Sequence, residues 1–253
     1  MRAQPTMSRI RLDELLVQRG LFATRSRARD AIRRGTVSVA GTPASKAGQE
    51  VDARAELAVA DPAAAYVSRA ALKLIAGFDH FGIDPRDRTA LDLGASTGGF
   101  TQVLLERGAA HVVAVDVGHG QMDAALRADP RVSCIEGLNA RELAETHLDG
   151  RRVDIVVSDV SFISLKLAAP PALSLAARGA HCLLLVKPQF EAGREAIGKG
   201  GILKNADDAV RVAEDLRQWL DLQPGWRALG VAPSPILGGE GNKEFLLAGR
   251  KDR

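Results

Sequence analysis

A chain of 253 residues with 46% apolar side chains and a formal net charge of +3 can bury one large or two modest cores, which excludes a disordered or fibrous polymer. The charge is uneven: residues 1 to 60 carry 11 Lys and Arg against 6 Asp and Glu, a net of +5, which leaves −2 for residues 61 to 253. A basic front on a near-neutral body reads as a polyanion-binding module joined to something else, with a solvated Arg-rich helix face as the bland alternative. Cys134 and Cys182 fall in predicted strands without a neighbouring thiol and read as small buried hydrophobes. His80, His111, His119, His147 and His181 lack the helical clustering of metal ligands, so no metal is expected. No apolar run reaches the about 18 residues of a spanning helix, and the start from Met1 to Pro5 lacks a signal-peptide core, so a cytoplasmic protein is expected.

In chain order, Ile10 to Gly20 places Leu12, Leu15 and Leu16 on one helix face, with Gly20 as the stop. A second helix runs from an N-cap at Thr24 to Gly35, burying Ala28, Ala31 and Ile32. Arg25, Arg29 and Arg33 recur every fourth residue on another face, a ladder suited to phosphates. Thr36 to Val39 alternates as a strand, and Val51 and Leu57 to Val59 suggest further short ones. The segments Arg11 to Leu21 and Ser26 to Gly41 resemble an S4 RNA-binding domain over residues 8 to 60. That resemblance implies structured RNA as partner and makes Arg9, Arg11, Arg25, Arg27, Arg29, Arg33, Arg34 and, beyond the module, Arg69 the candidate RNA contacts.

Residues 61 to 65, Asp-Pro-Ala-Ala-Ala, read as a linker. Tyr66 to Phe81 is then expected as a helix carrying Arg69 and Lys73 one turn apart. Ala90 to Thr101 is an apolar strand handing over to a helix through a loop of small residues, with the helix expected from Thr97 to Arg107. Gly94, Gly98 and Gly99 permit close backbone approach by a nucleotide-like ligand. Ser96 takes the place of the middle glycine of a dinucleotide G-x-G-x-x-G, which argues against a dehydrogenase. His111 to Asp116 is a second strand ending in an acid 22 positions beyond Gly94, where ribose hydroxyls are bound in this fold class. Further strands are expected at Arg131 to Ile135, Val153 to Val157 and Ala180 to Val186, alternating with helices at Met122 to Arg127, Ala140 to Thr146, Ser164 to Ala177 and Asp207 to Leu220. Trp226 to Pro235 and Lys243 to Gly249, joined by a Gly-rich turn, close the chain as an antiparallel pair. The fold class is therefore α/β, a Rossmann-like, mostly parallel seven-stranded sheet with a C-terminal antiparallel hairpin, preceded by the small αβ module.

In such sheets ligands sit beyond the carboxyl ends of the strands. Lys73, Asp159, Lys187 and Glu244 are distributed so that they could converge there, and Asp159 and Lys187 end apolar strands, where an unpaired charge is costly. The stretches around Lys73, Asp92 to Phe100, Asp159, Lys187 and Glu244 together resemble the TlyA-type ribosomal RNA 2′-O-methyltransferases, which share a Lys-Asp-Lys-Glu tetrad with the FtsJ type. The match runs from about residue 8 to 250, so 66 to 250 would be the methyltransferase domain.

The resemblance implies S-adenosylmethionine (SAM) as methyl donor and a ribose, typically of cytidine, in ribosomal RNA as acceptor. Lys187 then either takes the hydroxyl proton as an amine or stabilises the alkoxide as an ammonium, with Asp159 beside it and Lys73 and Glu244 as supports. For the donor, Gly94, Ala95, Ser96, Thr97, Gly98, Gly99 and Phe100 would pass the methionine part, Asp116 the ribose and Asn139 the adenine, while Asp92 orders the loop through backbone N–H groups. Two features depart from the family pattern: an alanine-rich linker before Tyr66, and Gly193 to Gly201, expected as a mobile loop over the RNA site. Competing readings are a pore-forming haemolysin, after the family's older label, and an RNA-binding protein with an inactive methyltransferase domain.

Overall fold

A computed structural model describes residues 8–205, 207–238 and 241–252. Met1 to Pro5 and part of the Gly-rich turn therefore lie outside the described residues. By internal contacts the chain separates into two units after Ala65.

The first unit comprises β1 (Arg9–Arg11), α1 (Leu12–Gln18), α2 (Arg25–Arg33), β2 (Val37–Val39), β3 (Thr42–Pro43), β4 (Glu50–Asp52) and β5 (Leu57–Val59). Helix α1 begins two residues later than expected because Ile10 is drawn into a strand pair with Val51. The Thr24 hydroxyl caps α2 by accepting from the Arg27 N–H at 3.3 Å. Leu12, Leu16, Ala28, Ile32 and Val37 form the small core between helices and strands.

The second unit is a seven-stranded sheet with helices on both faces. It comprises α3 (Ala71–Phe81), β6 (Thr89–Leu93), α4 (Gly99–Glu106), β7 (His111–Asp116), α5 (Ala124–Ala128), β8 (Val132–Glu136), β9 (Val153–Ser158), α6 (Leu165–Ala168), α7 (Pro170–Leu175), β10 (Ala176–Val186), α8 (Pro188–Glu191), α9 (Asp208–Asp221), β11 (Trp226–Pro233) and β12 (Phe245–Lys251). Strand order is β11-β12-β10-β9-β6-β7-β8, and only β12 runs against its neighbours. The closing pair thus lies at one sheet edge as expected, with β12 against β10 and β11 outermost. The apolar runs of β6, β7, β9 and β10 are buried on both faces. Leu74, Phe78, Phe100 and Leu104 cover one face; Leu173, Leu216 and Leu220 cover the other.

Several expected helices are shorter. Residues 66–70 are turns, so α3 starts only at Ala71. Ala140 to Thr146 yields two 3-10 turns, Ala140–Glu142 and Glu145–Leu148. Ser164 to Ala177 breaks at Ala169, where Pro170 and Pro171 start a new helix and lack the N–H groups that a continuous one would use. Ala176 already belongs to β10. Cys182 is buried, but Cys134 is only half-buried on the edge strand β8.

Candidate active site

Strand order reverses between β6 and β9, so their carboxyl ends open a crevice, the usual ligand position of an open α/β sheet. The loop leaving β6 is bent by Gly94 at φ 78° and Ser96 at φ 46°, and Gly98 at φ 96° forms the N-cap of α4. A Cβ on Gly94 would lie 3.1 Å from the backbone of Val160, so the loop can approach the segment after β9 this closely only with glycine. Asp116 fixes the loop from β7. Its Oδ2 accepts the Ser96 N–H at 2.8 Å and its Oδ1 the Gly118 N–H at 2.7 Å. Each oxygen retains a further lone pair for a ligand hydroxyl.

A cavity of about 480 Å³ opens there, lined among others by Gly94, Ser96, Asp116, Leu138, Asn139 and Phe162. This is within the range of small-ligand sites. A hollow of about 150 Å³ adjoins it, reached by Ala95, Thr97, Gly99, Phe100, Ser68 and Lys187; Gly94, Ser96, Asp159 and Ser161 line both. The Asn139 Oδ1 accepts the Arg141 N–H at 3.1 Å and so fixes the turn at the cavity wall.

Asp92 lines neither space and is fully buried; its Oδ2 accepts the Thr101 hydroxyl at 2.7 Å, and the Thr101 backbone also hydrogen-bonds to the carboxylate, so it braces the first turn of α4 rather than the loop of Gly94 to Gly98. Burial, with Asp159 and Asp116 nearby, pushes its carboxyl up to about 7.

The four tetrad candidates fall into two ion pairs. Lys187 follows β10 and Asp159 follows β9, and Nζ lies 2.7 Å from Asp159 Oδ1, an ion pair more than an aligned hydrogen bond. The same Nζ donates to Ser161 Oγ at 2.6 Å and to the Asp159 carbonyl at 3.2 Å. Three oxygens therefore surround this nitrogen, a number matched by the three hydrogens of an ammonium. Ser161 was not among the sequence candidates; a lone loop serine gives no periodic signal.

Lys73 on α3 and Glu244 before β12 form the second pair, Nζ to Oε2 at 2.5 Å, with both side chains buried. Neither lines the cavities. Glu191 on α8, also unflagged by sequence, accepts the Leu165 N–H at 2.7 Å and the Ser164 hydroxyl, tying the segment after Lys187 to the start of α6. Burial raises its carboxyl.

The stretch Gly193 to Gly201 is not an open loop. It folds into a small hairpin with a bridge between Ile197 and Leu203, and Asn242 holds it by donating to the Gly201 carbonyl at 2.9 Å and accepting from the Leu203 N–H at 3.3 Å.

In the first unit the expected ladder of Arg25, Arg29 and Arg33 does not form. Arg25 and Arg29 turn, with Arg11, onto the buried carboxylate of Asp13, while Arg33 is exposed. Arg34 pairs with Asp30 and with Asp61, the latter at 2.7 Å. Arg27 reaches the Ala63 carbonyl at 3.4 Å, Arg9 is exposed on β1, and Arg69 sits half-buried in the turns of the second unit. No helix among the described residues is long and apolar enough to cross a membrane.

A cofactor-sized crevice at a strand-order reversal, with a lysine-carboxylate pair beside it, is the ligand-binding architecture of a Rossmann-like α/β sheet. The chain belongs to the FtsJ-like methyltransferase family, whose model matches residues 66–251, and the S4 domain model matches residues 10–57. It is 46% identical to the 16S/23S rRNA (cytidine-2′-O)-methyltransferase TlyA of Mycobacterium tuberculosis over 241 residues, covering 94% of this chain and 89% of that one. It is 38% identical to Hemolysin A of Brachyspira hyodysenteriae, covering 94% and 98%. A solved structure from Streptococcus thermophilus, provisionally described as a hemolysin, superposes with a TM-score of 0.75 at 38% identity, covering 97% of this chain and 90% of the other.

Proposed function

We propose that this chain transfers a methyl group from SAM to a ribose 2′-hydroxyl, of cytidine, in ribosomal RNA in the cytoplasm. In this reading residues 8–60 bind RNA, 61–65 link, and 66–250 carry the chemistry. The observation that carries it is the Lys187 side-chain nitrogen, held by Asp159 and Ser161 where two cavities meet at the ends of β6 and β9. The rRNA 2′-O-methyltransferase among the relatives supports the choice of acceptor.

The residues present fit the donor. The Gly94 cradle excludes a side chain, the larger cavity offers Asp116 and Asn139 to an adenosine, and the smaller hollow takes an amino-acid tail beside Gly99 and Thr97. SAM, when bound, supplies a methyl group already activated by a sulfonium charge. The protein's task is then to make the 2′-oxygen a nucleophile. An ammonium at Lys187 stabilises the oxygen as it loses its proton, the incoming oxygen replacing the long 3.2 Å contact to the Asp159 carbonyl, and this is the role we assign to it. The proton leaves toward the Asp159 carboxylate, which lines both cavities. The buried Lys73–Glu244 pair holds α3 against the start of β12 and with it the walls of the site.

The test is methyl transfer from labelled SAM to purified ribosomal subunits by wild-type and Lys187→Ala protein. Incorporation into alkali-resistant dinucleotides by the wild type and its loss in the variant are expected; equal incorporation by both would overturn the role of Lys187.

A further inference from the structure

The buried carboxylate of the first unit is the feature that the proposed chemistry leaves unused. Asp13, in the first turn of α1, is 0% exposed, yet three guanidiniums converge on it. Arg11, from β1, donates Nε to Oδ1 at 3.1 Å. Arg25 donates to Oδ2 at 3.0 Å and pairs through its other terminal nitrogen with Glu14 at 2.7 Å. Arg29, one turn further along α2, donates Nε to Oδ2 at 2.7 Å. The arginine side chains themselves remain 42% to 45% exposed.

The arrangement is asymmetric. The acid is inside and the cations are half outside, so one carboxylate draws three long side chains from two elements into a single surface cluster. The guanidiniums hold the Asp13 carboxyl well below the usual carboxylate range, so it stays ionised. Arg29 commits only Nε to the protein among the described contacts, which leaves both terminal NH₂ groups for a ligand. Planar guanidiniums fixed at one edge present their remaining N–H groups in a set geometry, and this is the geometry that phosphate oxygens accept. Free arginines must give up rotamer freedom on binding, whereas these have already done so on folding.

We infer that Asp13 is a positioning residue for RNA: it pre-organises Arg11, Arg25 and Arg29 as one rigid phosphodiester-binding face of the first unit. This rests on the RNA-binding reading above and adds the residue that builds the surface. It also makes a prediction of unusual sign. Asp13→Asn raises the net charge of the unit by one, so if charge alone governed binding the variant would bind RNA more tightly. With Asp13 as organiser it binds more weakly.

The experiment measures affinity for deproteinised bacterial ribosomal RNA across a series of KCl concentrations, with full-length wild type, Asp13→Asn and Arg29→Lys. The salt slope counts phosphate contacts at about 0.7 to 0.9 each. Wild type is expected to show a slope of several contacts. Asp13→Asn is expected to bind about tenfold or more weakly, with a slope lower by at least one contact, and with SAM affinity unchanged because the second unit is untouched. Arg29→Lys keeps the charge and Asp13 but loses the planar fork, and a severalfold loss is expected. It decides the matter if Asp13→Asn does not fold. Equal or tighter binding by a folded Asp13→Asn protein, or unchanged binding by Arg29→Lys, would overturn the inference while leaving the RNA-binding reading intact. Absence of salt-dependent rRNA binding by the wild type would overturn both.

Discussion

Replacing Lys73 by Met should separate the support of the site from its chemistry. The Lys73 and Glu244 side chains are 6% and 3% exposed and share one ion pair. Removing the cation leaves a carboxylate in a site with almost no water, and breaking such a buried pair costs about 3 to 5 kcal/mol. For a unit of this size each kcal/mol moves the midpoint by about 2 to 4 °C, so Lys73→Met should melt about 6 to 20 °C lower. The double variant Lys73→Met, Glu244→Gln removes the orphaned charge and should recover at least half of that loss. Because neither residue lines the cavities, SAM affinity measured calorimetrically well below the midpoint should stay within about threefold of wild type. Methyl transfer should fall in both variants, since the walls of the site lose their fixed spacing. A single variant as stable as wild type, or a double variant less stable than the single one, would refute the reasoning.

Lys187→Met should lower the single-turnover rate of transfer by about 10²- to 10³-fold, the usual cost of one oxyanion-stabilising donor, with SAM affinity changed much less; an unchanged rate would remove it from the chemistry. Gly94→Ala forces a side chain into positive φ and to 3.1 Å from the Val160 backbone, so SAM affinity should drop by at least tenfold in calorimetry. Asp92 gives a pH signature. Its folded carboxyl titrates at about 7 and its unfolded one near 3.8, so the folded state binds the extra proton and stability falls as pH rises through this window. Asp92→Asn, which keeps an acceptor for Thr101, should therefore gain on wild type in chemical unfolding by about 2 to 3 kcal/mol more at pH 8 than at pH 5. A pH-independent difference would show that Asp92 does not titrate between those values.

The sheet was legible because its strands are unbroken apolar runs ending in acids or small residues, a pattern that burial on both faces imposes. The crevice was legible for the same reason: Gly94, Ser96 and Asp116 sit where strands stop. What the sequence hid was direction and partnership. Asp92 and Asp116 share a pleat face, since Asp92 pairs with Ala114 and Asp116 lies two residues further on; yet Asp92 is covered by the first turn of α4, while Asp116, at the end of its strand, reaches the loop and the cavity. Ser161 was invisible because its role comes from a lysine at the end of another strand, distant in sequence. The arginine ladder failed for a similar reason: spacing placed Arg25 and Arg29 on one face but said nothing of Asp13, which lies 12 residues before Arg25 and draws them together. Helix ends were misjudged where competing backbone partners took over, at Ile10, or where Pro170 and Pro171 removed the donors.

The central claim, ribose methylation of ribosomal RNA, is tested most directly by incubating the full-length protein with SAM and undermethylated bacterial ribosomal subunits and mapping alkali-resistant positions in the extracted RNA. The account predicts new 2′-O-methylation at discrete cytidines that disappears with Lys187→Met. Methyl groups on bases, or no transfer to either subunit by protein that binds SAM, would contradict it.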